Sequence, residues 1–345
     1  MHPVGVTGNG STANIQSRSK MPTSVKFNTL DVFTNQRFGG NPLGVVHVPA
    51  GIEAGALTQE VKQLIAREFN LSETIFLHPS STSSEAGSDA AQVFRTDIFL
   101  TEGEIPFAGH PTIGAGWFLL TKCPHLDSVV LRTKAGDIPV KRVGDSRVRL
   151  QVPTDFKIHT SHLSVTTAVK AIGTGFKATQ PLVTTDYANG STGNEPIVSI
   201  VKGMSFVLIQ VTSEEALGRL HTGAYRARDE VPSRLLGEWE GFVGVYSYYL
   251  PSQNPEGGSL KIKTRMIEGT LEDPATGSAA SALTGYLATL AGEGKWSYKI
   301  TQGVELGRPS EILVNVEVSK EGGIDKIELE GRAVKIMEGS IDLDA

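Results

Sequence analysis

The stretch EGTLEDPATGSAASALTGYLATLAG, residues 268–292, decides the fold. From Pro274 to Gly292 it contains no charged side chain. We predict a helix here, and a helix that is apolar or small on every side has no face suited to water. Such a helix is expected to be buried, with a sheet wrapped around it. Asp273 and Pro274 stand at its start, where Asp is a preferred N-cap and Pro a preferred first residue.

A second stretch repeats this pattern. His110-Pro111 stands 163 positions before Asp273-Pro274, and Gly114 stands the same 163 positions before Gly277. This second stretch also has no charged residue in its first ten positions. The constant offset predicts two related halves, each built around one central helix.

Short strand patterns surround both helices. Segments such as VKFNTLDVF (25–33) and FVGVYSYYL (242–250) alternate with Gly-rich turns, and only a few segments have helical spacing. One of these, residues 57–69, is expected to be a helix with Thr58 as its N-cap. Residues 78–92 are polar and of low complexity, so we expect a mobile loop. The pattern favours an α+β fold over a doubly wound parallel sheet.

Composition excludes several classes of protein. The 345 residues carry 32 Lys and Arg against 37 Asp and Glu, with no basic stripe, so nucleic acid is not an expected partner. The single cysteine, Cys123, excludes an internal disulfide framework and fits a reducing, cytoplasmic location. Residues 274–292 are too rich in Ala, Gly, Ser and Thr for a membrane helix, so no membrane partner is expected.

Three segments are predicted along the chain: a disordered tail over 1–24, a first half over 25–127, and a second half over 128–345. The tail is Gly/Ser/Thr-rich and lacks the apolar run of a secretory signal. A start at Met21 or an organelle transit peptide are the alternatives for it.

No motif supports a metal or a nucleotide cofactor. The chain has no HExxH, no CxxC and no GxSxG, and its glycines do not fit a phosphate-binding loop. We therefore expect no cofactor and no metal site.

The two helix starts are candidate anion sites, because free N–H groups and the helix dipole favour a negative charge there. If they face each other across a cleft, they would hold a small carboxylate between Asp273 and His110. The alternatives are that Asp273 serves only as a helix cap and that His110 has a purely structural hydrogen-bonding role. Glu73 follows the helix-to-strand turn and is flanked by Leu71 and Ile75. Burial among these apolar neighbours would raise the pKa of Glu73. A solvated turn carboxylate is the alternative for Glu73.

Five motifs occur together and in order. They are DVFTNQRFGGNPLGVV, IAREFNLSETIFL, EIPFAGHPTIGAG, EDPATGSAASAL and QGVELGRPSEI. Over about residues 26–340 the chain thereby resembles the PhzF family of phenazine-biosynthesis-like isomerases.

The resemblance implies the fold of diaminopimelate epimerase, in which two pseudo-symmetric halves, each a curved mixed sheet around a central helix, enclose the active site. The C-terminal strand is expected to return to the first half. In the best-understood family member, the glutamate of the NLSET motif moves a proton along one face of dihydro-hydroxyanthranilate without a cofactor. The resemblance assigns the following residues: catalytic Glu73, His110 and Asp273, and substrate-binding Gly109, Gly277, Ser278 and Asn41.

The resemblance also separates this chain from two-thiol racemases, which need a cysteine at the head of each central helix. Those heads carry His110 and Asp273 here, and Cys123 lies at the far end of the first helix. We therefore expect a cofactor-independent isomerase that acts on a small carboxylate, expected to be cyclic. Because many relatives form dimers, the resemblance also implies a homodimer, which no feature of the sequence itself indicates. An epimerase with Glu, Asp or His bases, or a non-catalytic binding or regulatory protein, are the alternatives.

Overall fold

The structure is a computed structural model that describes residues 24–50, 57–80, 91–144, 146–153, 155–164, 182, 184–188, 194–223, 226–231, 236–251 and 259–343. The predicted tail therefore lies outside the described residues, apart from Ser24, which begins the first strand.

Five α-helices occur in the described part of the chain. They are α1 (Gln59–Phe69), α2 (Gly109–Lys122), α3 (Glu214–Gly218), α4 (Ala227–Glu230) and α5 (Gly277–Ala291). The side chain of Thr58 accepts a hydrogen bond from the Val61 amide, which confirms the predicted N-cap of α1.

Eighteen strands occur in the same described ranges. They are β1 (Ser24–Val32), β2 (Asn41–His47), β3 (Thr74–Ser80), β4 (Gln92–Phe99), β5 (Glu104–Ile105), β6 (Ser128–Thr133), β7 (Gly136–Val143), β8 (Arg147–Gln151), β9 (Lys157–Ser164), β10 (Asn194–Val201), β11 (Met204–Val211), β12 (Phe242–Tyr249), β13 (Leu260–Glu268), β14 (Leu271–Asp273), β15 (Gly294–Gln302), β16 (Ser310–Val318), β17 (Ile324–Gly331) and β18 (Ala333–Asp342).

The strands pair in two arrays of the same topology. The first runs β18–β1–β2–β3–β4–β6–β7–β8, with β2–β3 and β4–β6 parallel. The second runs β9–β10–β11–β12–β13–β15–β16–β17, with β11–β12 and β13–β15 parallel. In each array a short hairpin strand and then a long helix connect the second parallel pair. The mixed sheets and few helices confirm the predicted α+β class.

The two arrays join where β8 pairs with β17, and β18 returns from the end of the chain to pair with β1. The predicted boundary at residue 127 stays a prediction. Because β6 pairs with β4 of the first array, we propose a later boundary, after β8.

The two long helices lie inside these arrays, as their lack of charge predicts. α2 contacts β1, β2, β3, β6, β7 and β8, and α5 contacts β10, β11, β15, β16 and β17. Burial is complete through the first eight residues of α2 and the first nine of α5. The last turn of α5 differs, because Leu290 is 67% exposed.

The helix starts differ from the prediction. Helix α5 begins at Gly277 after an N-cap at Thr276, so Asp273 and Pro274 precede it, and Asp273 is the last residue of β14. A residue before proline disfavours the helical region, and Asp273 pairs with Met266 in the ladder instead. Helix α2 begins one residue before His110, so the two helices do not start at equivalent positions of the repeat.

The predicted polar loop over 78–92 is shorter than expected. Residues 78–80 continue β3, and β4 begins at Gln92. Nε2 of His78 lies 2.7 Å from Oδ2 of Asp97 on the neighbouring strand β4. Residues 81–90 lie outside the described residues.

Candidate active site

The starts of α2 and α5 meet at two glycines. A Cβ atom on Gly109 would lie 3.1 Å from the Cα of Gly277, and a Cβ on Gly277 would lie 2.8 Å from Cδ2 of Leu329. Neither helix has an N-cap side chain that bonds its first amides. Two positive helix ends are thus brought together, with Ser278 buried in the first turn of α5.

Asp273 lies beside these helix starts and is not their N-cap, which corrects the expected capping role. Its Oδ1 accepts a hydrogen bond of 2.7 Å from Nδ2 of Asn41, and its Oδ2 accepts one of 2.5 Å from the hydroxyl of Thr276. Asn41 belongs to the first array and Asp273 to the second, so the carboxylate binds the two arrays together.

Asn41 is held by a turn that needs glycine. Gly40 has φ +62°, and a Cβ there would lie 2.3 Å from the carbonyl oxygen of Val32. The guanidinium of Arg308 donates to the carbonyl oxygens of Gly39 and Gly40, at 2.9 Å each. The RFGGNP and GRPS motifs therefore fix one structural feature, the position of Asn41.

Glu73 occupies the junction between α1 and β3. Asn70 ends α1 in the left-handed conformation, with φ 49°, which turns the chain toward the strand. The side chain of Glu73 is 15% exposed, and its Oε2 lies 3.2 Å from Nδ1 of His110. The contact is not aligned as a hydrogen bond, so the buried Oε2 of Glu73 has no hydrogen-bond partner among the described residues. Nε2 of His110, the other ring nitrogen, is also buried and has no partner among them.

Burial governs the electrostatics of this site. It raises the pKa of Glu73 to about 7, against the smaller opposing effect of a hydrogen bond from Ser72. It also raises the pKa of Asp273 to about 7, and the nearby charge of Glu73 adds to that rise. Burial lowers the pKa of His110 to about 4, although the charge of Asp273 opposes this. The site therefore contains two carboxyl groups that titrate near neutral pH beside a neutral imidazole.

The structure thus brings together the predicted residues of four motifs: NLSET, RFGGNP, GHPT and EDPATGS. Two residues were missed, Thr276 and Gln302. Gln302 donates 2.8 Å to the carbonyl oxygen of Asp273 and 3.0 Å to Oγ1 of Thr276. Both residues lie inside quoted motifs, but nothing in the sequence indicates that the two motifs meet.

In the described ranges, no three His, Cys, Asp or Glu side chains are close enough together to hold a metal ion. No described helix is both long and apolar enough to cross a membrane.

Known sequences resemble this chain over most of its length. The family of phenazine biosynthesis-like proteins (PhzC-PhzF) matches residues 30–339. An uncharacterized isomerase of Mesorhizobium japonicum is 31% identical over 90% of this chain and 96% of its own length. The trans-2,3-dihydro-3-hydroxyanthranilate isomerase of Pseudomonas aeruginosa is 28% identical over 91% of this chain and 98% of its own.

Solved structures share the fold. A PhzF-family phenazine biosynthesis protein of Bacillus anthracis has a TM-score of 0.67 at 21% identity, covering 92% of this chain and 99% of its own. A hydroxyproline epimerase of Agrobacterium vitis has a TM-score of 0.55 at 12% identity, covering 94% of each chain. Together with the matched sequences, this fold places the chain in the phenazine biosynthesis-like (PhzF) family, a family of isomerases.

Proposed function

We propose that this protein is a cofactor-independent isomerase that moves a proton between two carbons of a small cyclic carboxylate, with Glu73 as the acid and base. The observation that carries the proposal is the buried, unpartnered Oε2 of Glu73, next to a neutral His110 and opposite an ionisable Asp273. Buried polar atoms without partners are rare and costly, so their presence at one place supports a ligand-binding role.

The proton transfer follows from the chemistry of a carboxyl group whose pKa is about 7. The carboxylate of Glu73 takes a proton from an sp³ carbon, and the electron pair left behind delocalises into the neighbouring π-system. The carboxylic acid formed on Glu73, whose hydrogen exchanges with solvent between the two steps, then protonates another carbon on the same face. Both forms of Glu73 are populated near neutral pH, and such positioned proton transfer typically contributes ~10²–10⁴-fold to the rate.

The two helix starts supply a binding site for the carboxylate of the substrate. Gly109, Gly277 and Ser278 present first-turn amides that no N-cap side chain engages. The unpartnered Nε2 of His110 would form a hydrogen bond with another polar atom of the substrate. Asn41 acts on the substrate through Asp273, whose carboxylate it positions.

The proposal is tested by solvent exchange. The first probe is trans-2,3-dihydro-3-hydroxyanthranilate, the compound in the name of the Pseudomonas relative, followed by other unsaturated cyclic carboxylic acids. Each is incubated with protein in heavy water, and deuterium at carbon is followed by NMR. We expect exchange with wild type, a loss of at least ~10²-fold in Glu73→Gln, and wild-type exchange in Glu68→Gln, an exposed glutamate at the end of α1.

The site of exchange distinguishes the alternatives. Deuterium at a new carbon supports the isomerase, whereas exchange with inversion at a single carbon would favour an epimerase. If the probes bind but none exchanges, a non-catalytic binding or regulatory protein is favoured. The cytoplasmic location and the homodimer stay predictions, and a native mass measurement tests the dimer.

A further inference from the structure

Gln302, the last residue of β15, is fully buried beneath the proposed site and forms hydrogen bonds at both ends of its amide. Its Nε2 donates to the carbonyl oxygen of Asp273 at 2.8 Å and to Oγ1 of Thr276 at 3.0 Å. Its Oε1 accepts from the amide of Thr276 at 3.3 Å and from the hydroxyl of Tyr246 at 2.9 Å.

Two of these partners fix which way the amide points. The carbonyl oxygen of Asp273 can only accept, and the backbone N–H of Thr276 can only donate. A flipped amide would place an oxygen against the first and an N–H against the second. The amide nitrogen of Gln302 therefore faces Oγ1 of Thr276 as a donor.

The hydroxyl of Thr276 is oriented in turn. Because its oxygen receives an N–H from Gln302, its own hydrogen points to the other neighbour, Oδ2 of Asp273, at 2.5 Å. Protonation of Asp273 at Oδ2 would place two hydrogens between these oxygens, unless the Thr276 hydroxyl turned away.

The other oxygen of Asp273 is constrained in the same way. Nδ2 of Asn41 donates 2.9 Å to the carbonyl oxygen of Ala275, which can only accept, so that nitrogen also faces Oδ1 of Asp273 as a donor. Both oxygens of Asp273 thus receive fixed donors, which favour its charged form. Glu73 has a single side-chain donor, Ser72, and its buried Oε2 receives no hydrogen bond from the described residues.

We propose that Gln302 is a positioning residue that directs the hydroxyl hydrogen of Thr276 onto Asp273, and so makes Glu73 the carboxyl of the pair that binds and releases the proton. Assignment of that proton to Glu73 is useful for catalysis only if the proposed function holds. The orientation of the hydrogen bonds does not depend on it.

The groups that face Asp273 come from each neighbouring element. Glu73 approaches from the turn before β3, and His110 from α2, while the hydroxyl of Tyr246 on β12 is bonded to Gln302. Burial lowers the pKa of His110 to about 4 and keeps that of Tyr246 far above neutral pH. Between pH 5 and 9 the two carboxyl groups are therefore the members of this set that titrate.

The inference is tested by carboxyl ¹³C NMR on protein labelled at the Glu side-chain and Asp side-chain carboxyl carbons. Glu73→Gln and Asp273→Asn assign the two resonances, because each deletes one. In wild type we expect the Asp273 carbon to titrate at a lower pH than the Glu73 carbon. In Thr276→Val the Asp273 midpoint rises by about one pH unit, because one donor to its anion is lost. Thr276→Ser restores the wild-type midpoint.

Gln302→Met should give the same rise, since the Thr276 hydroxyl is then free to turn away from Asp273. Should that variant fail to fold, Gln302→Leu takes its place, since it also lacks the N–H donor to Thr276. Ser310→Ala is the matched control. It removes a 2.9 Å hydrogen bond to the carbonyl of Pro274 in the same turn and should leave both midpoints unchanged.

Three results would overturn the inference: an Asp273 carbon that titrates above Glu73 in wild type, an Asp273 midpoint unmoved by Thr276→Val, or an Asp273 midpoint unmoved by a folded Gln302 variant. The titration needs no substrate. It therefore separates failure of this inference from failure of the proposed isomerase, which the exchange experiment detects.

Discussion

Single residues in this protein show a conflict between stability and chemistry. The folded state holds Glu73 and Asp273 in a buried site where each has a pKa of about 7. A carboxyl whose pKa is raised on folding favours the folded state only while it is protonated. The site is therefore least stable at the pH at which its carboxylates are available for the proposed proton transfer.

Glu73→Gln should consequently stabilise the protein in a pH-dependent way. The folded pKa of about 7 exceeds the ordinary 4.5, so the wild-type carboxyl weakens folding progressively as the pH rises from about 4.5 to 7. The neutral Gln has no such cost. We expect equal melting temperatures near pH 4.5 and a variant more stable by on the order of 2 kcal/mol above pH 7.

Thermal melts of wild type and variant across this pH range provide the measurement. His110 acts in the opposite direction, since its lowered pKa weakens folding as the pH falls from 6.5 to about 4, but this effect is present in both proteins and cancels. Glu68→Gln, at an exposed position, should show no pH-dependent difference. A difference between Glu73→Gln and wild type that is constant with pH would contradict the assignment.

Among the elements, the two central helices depend on close contact at their first residues. Their burial follows from the sequence, because neither begins with a charged side chain. Their meeting point does not, because it requires a glycine in each helix, at positions that are not equivalent in the repeat. The same contact brings the GHPT and EDPATGS motifs together.

Gly277→Ala should disturb this contact. The new Cβ would lie 2.8 Å from Cδ2 of the fully buried Leu329 and 3.3 Å from the Cα of Gly109. Overpacking of this kind costs roughly 1–3 kcal/mol, against a gain of up to about 1 kcal/mol in helix propensity. We expect a net loss of stability in urea denaturation.

Gly218→Ala is the matched control for a helical glycine. Its Cβ would meet nothing closer than 4.0 Å, so we expect no loss of stability. Equal effects of the two substitutions would show that the contact between the helix starts is unimportant.

In the whole molecule, two long-range connections make the arrays interdependent. One is the return of β18 to β1, and the other is the pairing of β8 with β17. The second connection contains a buried carboxylate, Glu330, which binds Arg149 at 2.7 Å and Arg147 at 3.0 Å. The site depends on both arrays, since Asn41 and Asp273 come from different ones.

Arg149→Met should weaken this junction. Removal of one partner leaves Glu330 buried with only Arg147, and we expect a loss of about 1–3 kcal/mol in urea unfolding. Lys295→Met breaks an ion pair whose lysine is 80% exposed and should cost less than about 1 kcal/mol. Equal losses from the two variants would contradict a specific role for the junction.

The sequence by itself determined what depends on residue type and periodicity. Uncharged central helices, strand-rich halves and a constant offset of 163 residues predict the α+β architecture, and the single cysteine, Cys123, cannot supply two thiols from one chain. These properties follow from local composition, which the sequence contains in full.

Only the tertiary structure decided which distant groups meet. Asp273 is a natural helix cap in the local sequence, yet its proline favours an extended backbone and its carboxylate binds Asn41, 232 residues away. The orientation of Thr276 by Gln302 is likewise invisible locally, because hydrogen bonds across the fold depend on distances that only the packing of the two arrays sets. Burial of Glu73 follows the same rule, and with it the pKa suited to acid–base chemistry.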